Sequence, residues 1–433
     1  KGEYKNVFGD REDVHVFGTN PKITKLLHIN PFRFPEEIHV LEHIDRLIEI
    51  FSVCWPMYAA MPAVLKNAML QAYEVCGWNL ETSENEYNKN LFPTFQDLLT
   101  ELVDVIEHSA YDKEVKNNYR GSLETRVRSL ANGLNGQIFS ADEIPEKQLF
   151  DENTIVDLSR VGSLESKSLI MGILIMRLNE YRMTSCTEMN NPLKHVTVLE
   201  EAHNILRRTS MEQTEEGSNV AGKSVEMIAN AIAEMRTYGE GFVIADQSPG
   251  AVDISAIRNT NTKIIMRLPD EQDRQLAGKA AALKDDQLDE IARLPKGVAV
   301  IYQNNWTEPV LCKINKFEGE EKRYQYKTCA TDRKAEMMSA ILLRNLLKKE
   351  KGEPLDLNLR QLQDLLLKVS MPSKTKIAAL KALQKNGRCR QKDIQSVVYK
   401  LVCTPKVEEE LTHTESIEEW RDEIAYFGST ELA

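Results

Sequence analysis

Two stretches of this sequence place acids at the end of short apolar runs. Residues 195–201, HVTVLEE, lead from Val196 to Leu199 straight into Glu200 and Glu201, and residues 242–248, FVIADQS, lead from Phe242 to Ala245 into Asp246, Gln247 and Ser248. Open parallel sheets bind ligands at the carboxyl ends of their strands, so two buried strands of this kind would present acids and an amide to one crevice. The chemistry that suits such a pair is nucleoside triphosphate hydrolysis. One acid helps hold a magnesium ion, commonly through water, while its neighbour orients or deprotonates the attacking water. Glu200 fits the first role and Glu201 the second. The alternative is two solvated glutamates at a strand end. His203 reads either as a sensor of the site or as packing behind the strand.

Hydrolysis also needs a phosphate grip, and GSNVAGKS at residues 217–224 matches GxxxxGK[ST] letter for letter. That motif works when a strand feeds the loop and a helix leaves it, so that backbone N–H groups and the helix dipole converge on the phosphates. Only the helix is expected here. The preceding ILRRTSMEQTEE is polar and charged, with no apolar run to make a central strand. Lys223 is therefore set aside, and the segment is expected to be a surface loop capped by Ser224.

The elements that must position these acids follow from pattern. TIVDLS (154–159) reads as a strand, residues 164–181 as a helix, then come the strand ending at Glu200, a helix at 224–238 and a strand at 241–247. Alternating strand and helix predicts a parallel α/β sheet. KIIMRL (263–268) and a hairpin in 297–314 are expected to extend it. Leu41, Ile44, Leu47, Ile48 and Phe51, and later Leu98, Leu99, Leu102, Val105 and Ile106, recur at helical spacing, which predicts a helical bundle inserted ahead of the sheet. Residues 1–35 read as turn-rich, with one short apolar element at Ile23 to Ile29. Leu359, Leu362, Leu365, Leu366 and Val369 make the region past Phe317 helical again. The expected division is 1–35 as a remnant of the core, 36–150 as the bundle, 151–317 as the core and 318–433 as a helical carboxyl-terminal region.

Composition narrows the class further. The 433 residues carry a formal charge of −11, so no global basic field advertises nucleic acid, although a local channel is compatible with it. The cysteines at 54, 76, 186, 312, 329, 389 and 403 include no CxxC pair, which points to reduced thiols in a cytoplasmic setting rather than a disulfide frame or zinc site. The most apolar stretch, SLIMGILIMRL, is too short to span a bilayer and contains Arg177, so a buried helix is expected and no membrane association. The opening KGEYKNVFGDRED has no signal-peptide character, and the chain is expected to begin in mid-domain.

HVTVLEEAHN, then IANAIAEMRTYGEGFVIADQSP, then IRNTNTKIIMRL, in that order, resembles the HerA branch of the HerA/FtsK superfamily of ring-shaped ATPases, over roughly residues 150–315. The opening KGEYKNVF resembles the segment that follows the second core strand in that family. The resemblance implies a RecA-like core, ATP and Mg2+ as cofactors, DNA as the moved substrate, and self-assembly into a ring, expected to be a hexamer. A nuclease or other effector partner, in DNA processing or anti-phage defence, is a further implication. Glu200 and Glu201 match the Walker B acids, with Glu in place of the commoner Asp. Gln247 matches a polar sensor suited to a γ-phosphate, and Arg236 matches an arginine finger that reaches the neighbouring subunit's site. Its alternative is a helix-terminal arginine complementing the dipole. Arg267 and Arg258 are secondary finger or sensor candidates, with a structural role as the favoured alternative. The family's phosphate loop lies upstream of the position matching Lys1, so the resemblance implies truncation ahead of it.

Between Lys368 and Lys406 ten lysines and arginines accompany the single acid Asp393, and an acidic tail follows. Two helices flanking NGRCR could resemble a helix-turn-helix reader, or form a solvated face against the tail or another subunit. Two other readings of the whole chain stay open: a nucleotide-blind interaction module, and a conjugation or secretion ATPase.

Overall fold

Between Asp13 and Leu27 the chain builds strands where its sequence reads as turns. A short helix, Tyr4–Phe8 (α1), precedes Val14–Gly18 (β1) and the two-residue Lys25–Leu26 (β2). The strand β1 is easily missed because its five residues sit between charged and turn-forming neighbours, yet Val16 and Phe17 are buried at 7% and 1% exposure. The structure, a computed structural model, describes residues 2–208, 220–326, 332–384 and 390–402, apart from positions 59, 187, 189 and 320, together with Glu419 and Asp422.

The helical bundle enters after β2. Its principal helices are Val40–Cys54 (α2), Met61–Val75 (α3) and Phe95–His108 (α4), with a small hairpin, Trp78–Asn79 (β3) and Glu84–Asn85 (β4), ahead of α4. Ile44, Leu47, Ile48 and Phe51 bury one stripe of α2, and a capping box between Thr94 and Asp97 starts α4. Shorter helices at Lys113–Tyr119 (α5), Thr125–Ala131 (α6), Gly133–Ile138 (α7) and Glu146–Phe150 (α8) return the chain to the sheet.

There Asn153–Asp157 (β5) pairs in parallel with β1, from Val14 opposite Asn153 to Gly18 opposite Asp157. The helix Leu164–Ser185 (α9) follows, buried on most sides. His195–Glu200 (β6) and Glu240–Ala245 (β7) then pair in parallel, His195 opposite Glu240 and Glu200 opposite Ala245, with Val220–Glu234 (α10) as their crossover. One continuous core runs from Phe17 to Ala256, joining bundle, α9 and both strand groups. The apolar stretch with Arg177 lies within α9, as expected, and among the described residues no helix is long and apolar enough to cross a membrane.

The remaining strands correct the expectation that they extend the parallel sheet. After Ile254–Asn259 (α11) come Thr262–Ile265 (β8), the helices Glu271–Ala280 (α12) and Asp285–Ile291 (α13), then Val298–Gln303 (β9) and Val310–Lys313 (β10). The strands pair antiparallel in the order β10-β9-β8, a sheet with its own small core against α12 and α13. A hairpin dictates this: β9 and β10 are joined too tightly to run parallel, and β8 reaches β9 from the other side.

Beyond Phe317, Asp332–Lys351 (α14), Leu359–Lys368 (α15), Ser373–Leu383 (α16) and Gln391–Val402 (α17) share a further core that also takes in Leu91. The basic run is partly interior. Lys376 is 1% exposed and donates to the Leu367 carbonyl at 2.7 Å, and burial pushes its ammonium down to about 8. The linking residues 386–389, the acidic tail except Glu419 and Asp422, and Cys329, Cys389 and Cys403 lie outside the described residues.

Candidate active site at the strand tips

The carboxyl ends of β5 and β6 converge, and α1 spans them. The Tyr4 hydroxyl donates to Glu200 Oε1 at 2.9 Å, while the adjacent Lys5 pairs with Asp157, the last residue of β5. Burial and then the Glu200 bond raise the Tyr4 phenol. Burial pushes Asp157 up, but the Lys5 ammonium and Ser159 outweigh it and hold the carboxyl below its ordinary range. Sequence reasoning missed Tyr4, Lys5 and Asp157. Asp157 carried a usable signal, since TIVD is the same apolar-to-acid transition that singled out Glu200.

Glu201 leaves the strand. Its φ of 53° lies in the left-handed region, which an ordinary side chain occupies only when its surroundings hold it there. Two bonds to its carbonyl do so, from the Asn204 backbone N–H at 3.0 Å and side-chain amide at 2.7 Å. From the first turns of α9, Lys167 Nζ donates to Glu201 Oε2 at 2.5 Å, and Ser168 Oγ donates to the Asn204 carbonyl at 2.6 Å. Strained backbone of this kind clusters at functional sites. Lys167 also escaped sequence reasoning, because its partner lies across a strand crossover and no local pattern marks it.

The tip of β7 completes the group. Asp246 Oδ2 accepts from the His203 backbone N–H at 2.9 Å and from its ring Nδ1–H at 2.8 Å, so His203 ties the two strand tips together. Gln247 is exposed one residue further on. Asp157, Glu200, Glu201, Asp246 and Gln247 thus share one edge.

The arginines do not join them. Arg236 lies in the single 3-10 turn Met235–Tyr238 that precedes β7, at the amino edge of the β6–β7 pair. Six strand residues, roughly 20 Å, separate it from the acids of its own chain. It is exposed. Arg267, also exposed, donates from Nε to the Ala292 carbonyl at 3.0 Å, and Arg258 is exposed at the end of α11.

The Arg236 turn is held firmly. Gly239 has φ +85°, and a Cβ there would lie 2.5 Å from the Pro192 carbonyl oxygen, so only glycine fits. Gly239→Ala is expected to lower stability by roughly 1–3 kcal/mol in chemical denaturation. The next residue, Glu240, has a fully buried side chain that accepts from Arg182 Nε at 2.9 Å, His195 Nδ1 at 2.8 Å and Thr197 Oγ1 at 2.7 Å. Burial pushes its carboxyl up, yet His195, Thr197 and Arg182 together hold it below the ordinary range. A carboxyl whose folded pKa is depressed stabilises fully above its unfolded pKa, about 4.3, and loses that stabilisation as pH falls through the folded value. Denaturation midpoints measured across the acid range should therefore fall with pH, and Glu240→Gln should flatten that fall.

A nucleotide with magnesium fits one side of this site only. The two glutamates and the exposed amide suit a hydrated cation and a water. Of the GxxxxGKS match, Gly217 to Asn219 lie outside the described residues, and among the described ones the helix α10 already begins at Val220, so they form no open phosphate loop. Gly222, Lys223 and Ser224 are inside the helix. Contrary to the expected cap, Ser224 is buried and its hydroxyl donates to Glu49 of α2.

No protein-family model matches the chain. A "DNA double-strand break repair helicase HerA" of Sulfurisphaera tokodaii is 23% identical over 301 residues, 66% of this chain and 58% of that protein. A HerA helicase of Pyrococcus furiosus is 31% identical over 96 residues, 22% of this chain and 17% of its own length. The chain thus spans less than two thirds of the length of these relatives. Among solved structures, VirB4 of Thermoanaerobacter pseudethanolicus superposes with a TM-score of 0.51 at 14% identity, over 72% of this chain and 83% of that one. The chain is a sequence relative of the HerA helicases, with the RecA-like α/β fold of the HerA/FtsK-type ATPases.

Proposed function

We propose that this chain is the hydrolytic and subunit-contacting part of a HerA-type ATPase that hydrolyses ATP between neighbouring subunits of a ring and so moves duplex DNA. The observation that carries the reading is the split geometry: paired glutamates at one edge of the β6–β7 pair, and an exposed arginine on a rigid turn at the other. An arginine so far from its own acids can serve a site only in a second copy.

In this reading Glu200 holds a magnesium ion through water, and Tyr4 fixes the orientation of its carboxylate. Glu201 takes a proton from the attacking water, held by Lys167 until a nucleotide site is assembled. Gln247 donates to the terminal phosphate or orients the water, with Arg267, which stands apart from these groups in its own chain, as a secondary contact from a neighbouring subunit. Bound ATP with magnesium supplies the phosphoryl group and the charge that Arg236 of a neighbouring subunit neutralises. The ring, expected to be hexameric, its DNA and any nuclease or effector partner belong to the proposal, as does the division into core (1–35 and 151–317), bundle (36–150) and helical carboxyl-terminal region (318–433).

The phosphate grip is proposed to come from residues outside this sequence. Val196, Val198 and Val243, on one face of the β6–β7 pair, are 44–49% exposed, which supports a further segment packing there. The lack of a fitting phosphate cradle among the described residues equally favours a second reading, a nucleotide-blind interaction module. Titration of MgATP into this chain, and into a form extended by the upstream residues of its gene, separates them. The ATPase reading expects weak binding by the chain and at least roughly 100-fold tighter binding by the extended form, a gain of about 2.7 kcal/mol. No gain on extension leaves the interaction module.

A further inference from the structure

The two halves of the site are joined by one helix. At the amino end of α9, Lys167 and Ser168 bond Glu201 and the Asn204 carbonyl at 2.5 and 2.6 Å. At its carboxyl end, Arg182 donates to Glu240 at 2.9 Å, and the Cys186 thiol, the residue after the helix, donates to the Tyr238 carbonyl at 3.2 Å. The first pair grips the turn that carries the hydrolytic glutamate. The second grips the turn that carries Arg236. Lys167 and Arg182 lie about four turns, roughly 22 Å, apart on the same helix.

We propose that α9 is a coupling rod, with Lys167 a positioning residue for Glu201 and Arg182, through Glu240, a positioning residue for Arg236. The middle of the helix suits transmission rather than absorption of movement. Leu169, Ile170 and Ile173 are fully buried, and a Cβ on Gly172 would stand 2.7 Å from Ile50 and 3.1 Å from Ile205, so the rod has no slack against α2 or the Glu201 turn. Arg182 is itself fixed along a second direction by Asp151 at 2.6 Å. When Glu201 is drawn away from Lys167, α9 loses a charged anchor at one end and changes the constraint on the Arg236 turn at the other. In a ring, the state of one site would thereby set the arginine offered to the next. This rests on the proposed roles of Glu201 and Arg236, but its test does not.

The test is hydrogen–deuterium exchange on the nucleotide-free chain as it exists. Coupling is reciprocal, so an effect must appear in both directions. Lys167→Met should speed exchange of the amides at 235–241 by roughly fivefold or more, and Glu240→Gln should do the same for those at 200–205. Exchange in α16, which packs in a different core, should stay unchanged and reports any global loss of stability. Arg182→Lys, which keeps the charge but loses the planar fork, should give a smaller shift than Glu240→Gln. Changes confined to the mutated end, or equal acceleration in α16, overturn the rod. The outcome is distinct from failure of the proposed function, which is read from ATP turnover of the Glu201 and Arg236 variants.

Discussion

Glu201→Gln is expected to lower ATP turnover by roughly 10²- to 10⁴-fold, the usual worth of a positioned general base, while nucleotide binding stays within a few fold. The substitution keeps the size and most of the hydrogen-bonding capacity of the side chain, and the left-handed backbone at φ 53° is held by bonds to the Glu201 carbonyl, which glutamine retains. The ability to accept a proton is lost, and the ion pair with Lys167 is reduced to a hydrogen bond with a neutral amide oxygen. The measurement is steady-state phosphate release by an ATP-hydrolysing form of the protein, beside MgATP affinity from calorimetry. Turnover unchanged by the substitution removes Glu201 from the chemistry. A parallel loss of affinity would instead assign it to binding. Glu200→Gln should show the complementary pattern, with the defect concentrated in magnesium dependence, because its carboxylate faces the Tyr4 hydroxyl and not Lys167.

The parts of this site that were legible in the sequence are those written in consecutive residues. An apolar run ending in acids marks a strand tip, so β6 and β7 with Glu200, Glu201 and Asp246 could be placed in advance, and their parallel pairing follows from the intervening α10. The helical stripes of α2, α4 and α15 were readable for the same reason. What local pattern could not supply is pairing. The strand β1 is five residues long between charged and turn-forming neighbours, and only its burial between β2 and β5 reveals it as central. The order β10-β9-β8 as a separate antiparallel sheet is likewise a matter of which edges meet. Ion pairs such as Lys167 with Glu201, Lys5 with Asp157 and Arg182 with Glu240 join residues 34, 152 and 58 positions apart.

The pseudo-motif GSNVAGKS shows the converse, a local pattern without its context. A phosphate loop needs its glycines in an open, strand-fed turn, whereas here α10 begins at Val220 and carries Gly222 to Ser224 within it. Ser224 then faces α2, where the Glu49 carboxylate accepts its hydrogen bond. Lys223→Ala is accordingly expected to leave MgATP affinity and turnover within twofold, measured as for Glu201→Gln. A loss of 100-fold would restore the loop.

Arg236→Ala is expected to cost roughly 10³- to 10⁵-fold in turnover, the range seen when an arginine finger is withdrawn from a phosphoryl-transfer site. The loss should fall on the neighbouring subunit. Arg236 stands at the amino edge of the β6–β7 pair and the carboxylates at the other, so its own chain cannot bring them together without unravelling β7. This makes a mixing experiment decisive. Arg236→Ala and Glu201→Gln proteins are each nearly inactive alone, but in mixed rings some interfaces pair an intact arginine with an intact glutamate. Activity should reappear on mixing and rise with the fraction of such interfaces. If Arg236 acted within its own chain, every subunit would still lack one of the two groups and mixing would restore nothing. Arg236→Lys should rescue only in part, since an ammonium keeps the charge but not the planar two-point contact with phosphate oxygens. The turn itself should survive both substitutions, because Gly239, Glu240 and the Asn191 N–H that donates to the Thr237 carbonyl at 3.1 Å fix it without the arginine side chain.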